Sequence, residues 1–159
     1  MKERKFQTEL KKSLELDKGF AIKLNPEWSV GLPDLCIVHD GEVAFVETKV
    51  SMKNMVIEDG IVKKGSTIEI AMTPAQRMVL RKLQAAGATA GWCVAYRAND
   101  EWYAVYGVDP DAVRVVPTSS SNIILRGKHA KWDVPSMIRQ LANPNAIWDN
   151  TKHKEDLRK

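Results

Sequence analysis

The stretch GLPDLCIVHDGEVAFVETKV, residues 31–50, decides the fold of this chain. Two runs of apolar residues flank an Asp-Gly turn signal at 40–41, a pattern that is typical of a tight β-hairpin. We therefore predict one strand over residues 34–38 and an antiparallel partner strand over residues 43–50. Pro33 can precede the first strand but cannot lie in its middle.

Charged side chains are set into this apolar hairpin. Because side chains alternate along a strand, Glu47 and Lys49 share one face while Thr48 points to the other. The hairpin would bring Asp34, at the start of the first strand, beside that pair. Burying these charges unpaired is costly, and Mg²⁺, which takes carboxylate and water oxygens, would compensate them. Taken alone, Asp34 could be a turn residue and Glu47 with Lys49 a solvent-facing pair, but together they predict an active site.

The rest of the chain alternates between helical and strand patterns. Apolar residues at helical spacing predict an amphipathic helix over 3–17, and Thr73 with Pro74 opens a second helix that runs to about residue 86. Longer strands are predicted over 89–96 and 101–108. Shorter elements are expected at 20–24, 55–57 with 61–62, 67–71 and, as a helix, 135–141. This order indicates a single α/β domain.

Charge is distributed unevenly along the 159 residues. The net charge is +4 overall, the last 34 residues alone carry +4, and residues 19–72 carry −3. Basic ends suit a polyanionic partner, because Lys and Arg at phosphates release condensed counterions; an ordinary solvated basic surface explains the charge equally well. We expect a core over residues 1–113, with 51–72 as an excursion from it, and a basic C-terminal extension over 114–159 that is part of the same domain or mobile.

The motifs together resemble the PD-(D/E)XK nuclease superfamily, and in particular its VRR-NUC branch of standalone, phage-type nucleases. Pro33-Asp34 followed by Glu47-Thr48-Lys49 is similar to the superfamily signature. Gly31 before that motif, Glu9 in the first helix and Thr73-Pro74-Ala75-Gln76 at the start of the second helix resemble the VRR-NUC branch. The resemblance covers roughly residues 5–108, and the stretch between Lys49 and Thr73 is longer than the short link expected.

The resemblance implies a restriction-endonuclease-like core, in which helices flank a central mixed β-sheet. It further implies a Mg²⁺ site, with Mn²⁺ as a substitute, whose ligands are Asp34, Glu47 and the backbone carbonyl of Thr48. Glu9 would complete this site directly or through water. A metal at this position would supply the nucleophilic water and neutralise charge on a phosphoryl group.

The remaining implied roles concern catalysis and substrate. Lys49 would orient or deprotonate the attacking water, and Gln76 would position the metal shell or Lys49. The implied activity is a metal-dependent deoxyribonuclease that hydrolyses phosphodiester bonds in DNA. We expect a structure-selective endonuclease acting on a Holliday junction or a flap, with branched DNA as partner and a homodimer as the active form.

Other function classes stay open on the sequence alone. A non-catalytic nucleic-acid-binding module of the same fold, or a protein-interaction protein that binds through residues 51–72, would fit the composition. Trp28 or Trp132 could stack on a base or pack in the core. Lys53, Lys63 and Lys64 could contact a phosphate or protect a sheet edge.

Localisation follows from what the sequence lacks. No apolar run is long enough to span a bilayer, and the first residues are polar, so we expect a cytoplasmic protein, in the host cytoplasm if it is phage-encoded. Cys36 and Cys93 lack the spacing of metal ligands and are expected to be reduced thiols in the core.

Overall fold

A computed structural model of the chain describes residues 1–24, 27–58, 61–62, 67–117, 123–125 and 131–143. Three helices are present among these residues: α1 (Glu3–Leu16), α2 (Pro74–Ala85) and α3 (Val134–Ala142). The strands are β1 (Phe20–Lys23), β2 (Leu35–His39), β3 (Glu42–Met55), β4 (Ile57–Glu58), β5 (Ile61–Val62), β6 (Ile68–Glu69), β7 (Thr89–Ala98), β8 (Glu101–Gly107), β9 (Arg114–Val115) and β10 (Ile123–Leu125).

Six strands form the central sheet in the order β1-β2-β3-β7-β8-β10. The β3–β7 pair is parallel and the other pairs are antiparallel. Two parallel neighbours need a crossover connection, and α2 lies within the chain that connects them. The predicted α/β class, a central mixed sheet flanked by helices, is therefore confirmed.

The β2–β3 hairpin has the register that the sequence predicted. His39 pairs with Glu42 and Leu35 pairs with Val46. The two residues between the strands have positive φ angles, 49° at Asp40 and 78° at Gly41. Two positive φ angles are characteristic of the type I′ turn, whose twist matches that of the flanking strands.

Two apolar clusters cover the two sides of the sheet. On one side, α1 and α3 pack against the strands, with Phe6, Leu14 and Trp132 fully buried. On the other side, Leu80 of α2 packs with the apolar residues of β6 and β7. Because β3 lies in the middle of the sheet, its alternating side chains reach both clusters.

Several elements differ from the sequence prediction. Strand β3 continues to Met55, five residues beyond the predicted end, and the strand predicted over 67–71 is reduced to Ile68–Glu69. This short strand pairs with β9, an element that the sequence did not predict. The predicted turn at 59–60 lies outside the described residues, as do residues 144–159 of the basic tail.

The region after residue 113 contributes to the same sheet and core. Strand β10 pairs with β8, and α3 packs against β3 and β7 beside α1. Cys93 is buried and Cys36 is half-buried; both are free thiols, and burial raises the pKa of each. None of the helices in the described part of the chain has both the length and the apolar character to cross a membrane.

Candidate active site

Asp34 lies directly before β2, next to the strand that carries Glu47. One of its carboxylate oxygens, Oδ2, accepts two hydrogen bonds from Thr48, from the backbone N–H at 2.9 Å and from the side-chain Oγ1 at 2.8 Å. Its backbone carbonyl accepts a bond from the Leu24 N–H at 2.9 Å, which continues the β1–β2 ladder. Asp34 is thus held through both its side chain and its backbone.

Glu47 is a buried carboxylate, with only 2 % of the residue exposed. Its Oε1 accepts a hydrogen bond from Gln76 Nε2 at 3.0 Å and lies 3.5 Å from Lys49 Nζ. Burial raises the pKa of Glu47 to about 8, and the negative charge of Asp34 acts in the same direction, while Lys49 opposes it. Since burial disfavours the charged form, the neighbouring protein groups alone do not fully stabilise the negative charge of Glu47.

Gln76 connects this site to the start of α2. Its Oε1 accepts the Thr73 backbone N–H at 2.9 Å, and the Thr73 side chain accepts the Gln76 N–H at 3.2 Å. This reciprocal pair is a capping box, which satisfies free N–H groups at a helix start. Because Oε1 is used by the cap, the amide nitrogen is the end that reaches Glu47.

Gly31 holds the loop before Asp34 against the same helix start. Its φ is +83°, and a Cβ at this position would lie 2.5 Å from the Ala75 carbonyl carbon and oxygen and 2.9 Å from the Gln76 nitrogen. A glycine is needed here both for the positive φ and for the close approach. The loop that carries Asp34 and the helix that carries Gln76 are therefore in direct backbone contact.

The donor set at this site suits a hard divalent cation. Asp34 and Glu47 each supply carboxylate oxygens, and Asp34 lies close enough to Glu47 for its charge to raise the Glu47 pKa. Thr48, which follows Glu47 in the sequence, offers its backbone carbonyl. Mg²⁺ is commonly bound by one or two carboxylates together with water and substrate phosphate. Among the described residues there is no group of three or more His, Cys, Asp or Glu side chains that could hold a metal.

The two predicted helix residues have different placements. Gln76 lies in the site, bonded to Glu47 as described above. Glu9 is half-buried on α1, where its Oε2 accepts a hydrogen bond from Trp132 Nε1 at 3.4 Å. The role of Glu9 at the metal therefore stays a prediction.

One contact to the site was missed by sequence reasoning. Gln7 Nε2 on α1 donates to Thr48 Oγ1 at 2.9 Å, so that Thr48 links Gln7 to Asp34. A signal existed, because Gln7 shares the i, i+3, i+7 stripe of α1 with Leu10 and Leu14, which are buried. A polar residue on an apolar helix stripe indicates a polar partner on the sheet below.

The remaining candidates fall into two groups. Trp132 is fully buried and packs edge-on against Phe6, with ring centroids 5.2 Å apart, so it belongs to the core. Trp28 is exposed. His39, at the end of β2 farthest from Asp34, donates through Nε2 to the Asp17 carbonyl at 3.1 Å.

No family model and no curated protein matches this chain. Solved structures do. A structure described as "VRR_NUC domain" is 23 % identical, with a TM-score of 0.40, over 60 % of this chain and 84 % of that one. A Holliday junction resolvase from Archaeoglobus fulgidus, Hjc, is 16 % identical, with a TM-score of 0.41, over 64 % of this chain and 74 % of that one.

Proposed function

We propose that this protein is a metal-dependent deoxyribonuclease that hydrolyses phosphodiester bonds in DNA. The observation that carries the proposal is the convergence of Asp34, Glu47, Lys49 and Gln76 on one patch of sheet, with Glu47 buried and its pKa raised to about 8. Two carboxylates beside a polyanion's phosphates would only repel it, unless a cation lies between them. A binding module has no use for such a pair.

In this proposal Asp34, Glu47 and the Thr48 carbonyl hold Mg²⁺ or Mn²⁺, and Glu9 contributes directly or through water. Such an ion supplies a nucleophilic water and neutralises charge on the phosphoryl oxygens. The Thr48 N–H and hydroxyl, at 2.9 and 2.8 Å, keep Asp34 Oδ2 fixed, so the carboxylate is oriented before the metal arrives. Fixed ligands favour catalysis because little reorganisation is needed during the reaction.

Lys49 is proposed to act on the attacking water and on the negative charge of the phosphate. Its ammonium lies 3.5 Å from Glu47 Oε1 on the same face of β3, so it is directed at the ion site and not into the sheet. There the ammonium orients the attacking water and stabilises negative charge on the phosphate, or the side chain, as a neutral amine, takes the proton of that water. Gln76 is a positioning residue, since it acts through Glu47.

The proposed substrate is branched DNA, a Holliday junction or a flap, and the proposed active form is a homodimer. Two copies related by a two-fold axis would present two sites, as paired incisions require. The exposed apolar side chains Phe20, Ile22 and Val43 support an interface between copies, because β1, β2 and β3 are adjacent and the three residues share one face of the sheet. Light scattering of the wild type and of Phe20→Glu tests this point: we expect a dimer and a monomer respectively.

Cleavage of labelled DNA tests the function itself. Four-way junction, flap, duplex and single-stranded DNA are incubated with Mg²⁺, Mn²⁺ or EDTA, with Asp34→Asn as the matched inactive variant. We expect metal-dependent cutting, strongest on the branched substrates and absent in the variant. If the wild type binds these DNAs but cuts none with either metal, the nuclease proposal is wrong and the protein is a binding module.

A further inference from the structure

We propose that a groove beside the candidate active site binds the phosphate backbone of the nucleic-acid strand that leaves this site. The groove has a volume of about 430 Å³ and lies between the end of β3 and the β6–β9 ribbon. Ser51, Met52 and Lys53 form one wall, and Thr67, Glu69 and Arg114 form the other. The proposal rests on the proposed nuclease function and names the path of its substrate.

The first wall is formed by an irregular part of β3 that begins just after Lys49. Val50 pairs with Ala95 and Asn54 with Arg97, so that β3 advances by four residues where β7 advances by two. The two extra residues make β3 bulge, and Ser51 Oγ accepts the Lys53 N–H at 3.2 Å within the bulge. Bulges beside active sites commonly redirect side chains. Here the bulge leaves Met52 87 % exposed.

The second wall is fixed to α2. Arg77, which follows Gln76, donates to three backbone carbonyls: Ile70 at 2.9 Å, Pro110 at 2.9 Å and Ala112 at 2.7 Å. These bonds join the segments before and after α2 into one support for the β6–β9 ribbon. The helix that positions Gln76 at the candidate site therefore also holds the far side of the groove. The groove is preformed, which lowers the entropic cost of binding a strand.

Charge in the groove favours a polyanion. Lys53 and Arg114 face it from opposite walls, against the single carboxylate of Glu69. Lys53 Nζ donates to the Thr67 carbonyl at 3.2 Å, and an ammonium with three hydrogens keeps two donors after that bond. Within the described part of the chain, neither cation forms an ion pair. Both charges are thus available to phosphate oxygens.

The distance from the site fits a nucleic-acid strand. Lys49 pairs with Val94 and Asn54 with Arg97, so the bulge shortens the span from Lys49 to Lys53 to about 10 Å or less, at a rise of roughly 3.3 Å per residue of β7. A stacked strand advances about 3.4 Å per nucleotide, so Lys53 would meet a phosphate within about three nucleotides of the reacting one. The exposed thioether of Met52 would lie against a base from the same segment.

The test combines Lys53→Ala with Arg114→Ala and compares the double variant with Lys12→Ala/Arg139→Ala. The control pair removes the same two charge types from exposed positions on α1 and α3, on the other side of the sheet. Binding of a fluorescein-labelled single strand and duplex is measured in EDTA over a range of salt concentrations. We expect binding about tenfold weaker for each lost contact, and a salt slope lower by about 0.7 per phosphate for the single strand. Glu69→Gln should tighten binding, since it removes the opposing charge.

Cleavage with Mg²⁺ separates this inference from the proposed function. The groove variant should raise KM while leaving kcat within about twofold, because Lys53 and Arg114 hold substrate and do not touch the reacting atoms. If the groove variant and the control pair bind and cut alike while the wild type is an active nuclease, the groove proposal is wrong. Binding that depends on Lys53 and Arg114 without any cleavage would support the groove and overturn the nuclease.

Discussion

The two sides of the central sheet differ in how the helices cover them. On the side of α1 and α3, Phe6, Leu14 and Trp132 are fully buried and the contacts are mostly apolar. On the side of α2, the start of the helix contacts the sheet through polar groups, where Gln76 meets Glu47. Side chains of the same strand, β3, contribute to both sides. The comparison indicates that both sides stabilise the fold through apolar packing and that the side of α2 also positions charged groups.

The largest expected effect tests the charged side. Asp34→Asn, Glu47→Gln and Lys49→Met should each lower kcat by about 10²–10³-fold or more, because each removes a group proposed to hold or neutralise reacting charge. The control is Glu42→Gln, which changes an exposed carboxylate on the same strand. Full activity in any of the three site variants would remove that residue from the site. Circular dichroism should show an unchanged fold in all four.

The apolar side should respond in stability instead. Leu14 of α1 is fully buried, and Leu14→Ala should lower the free energy of unfolding by about 2–5 kcal/mol through lost contacts and the cavity left behind. Urea unfolding measures this loss, and kcat of the folded fraction should stay within about twofold. A large fall in kcat at full folding would contradict the division between the two sides.

Gly31 tests how tightly the charged side depends on α2. Gly31→Ala adds a Cβ that would lie 2.5 Å from the Ala75 carbonyl, in a backbone with φ +83°. We expect a loss of about 2–4 kcal/mol in unfolding free energy and a lower kcat, since the Gln76 end of the helix must move.

Gly41→Ala is the matched control for that change. Gly41 has a similar φ, +78°, but a Cβ there meets no atom within 4 Å. It should cost only the backbone strain, about 1–2 kcal/mol, and leave kcat unchanged. Equal losses of activity in both variants would show that strain, and not the contact with α2, is responsible.

The raised Glu47 pKa predicts the pH dependence of stability without metal. The folded pKa, about 8, lies above 4.5, the ordinary value for a glutamate, so the folded state binds more protons than the unfolded state between these two values. Stability in EDTA should therefore fall as pH rises from about 5 to 8, by up to roughly 1.4 kcal/mol per pH unit. Thermal unfolding of wild type and Glu47→Gln measures this, and the variant should show a flatter profile. Added Mg²⁺ should stabilise the wild type more at pH 8 than at pH 6, because binding releases the proton.

The smallest expected effect separates helix capping from the contact to Glu47. Thr73→Ala removes the cap and should cost about 1 kcal/mol in unfolding free energy, with most of the activity retained. Gln76→Ala removes the reciprocal cap and also the 3.0 Å bond to Glu47, so it should lower kcat further. Equal kcat values in the two variants would mean that Gln76 acts only on the helix.

Sequence reasoning could group the candidate site residues because they are close along the chain. Asp34, Glu47 and Lys49 all belong to one hairpin, whose Asp-Gly turn fixes the register and therefore which side chains are neighbours. Alternation then separates Thr48 from Glu47 and Lys49, and Thr48 does contact Gln7 of α1 on the other side of the sheet. Local rules of strand geometry suffice for such a site.

The same reasoning missed what depends on distant segments. The β9 strand is two residues long and exists because Arg114 and Val115 pair with Ile68 and Glu69, more than forty residues earlier. The extension of β3 to Met55 likewise follows from pairing with Arg97 and Ala98 of β7. No local periodicity encodes such a pairing, since a short strand is stabilised by its partner.

The sequence by itself determined the hairpin, its turn, the face shared by Glu47 and Lys49, and the capping box of α2, because each of these is set by residues within a few positions of one another. Only the tertiary structure decided that Gln76 reaches Glu47, that Gly31 lies against Ala75, and that Arg77 ties the segments around α2 into the wall of a groove. These contacts join residues far apart in the chain. They form because the parallel β3–β7 pairing requires α2 to cross the sheet, and that crossing brings the helix start to the carboxylates.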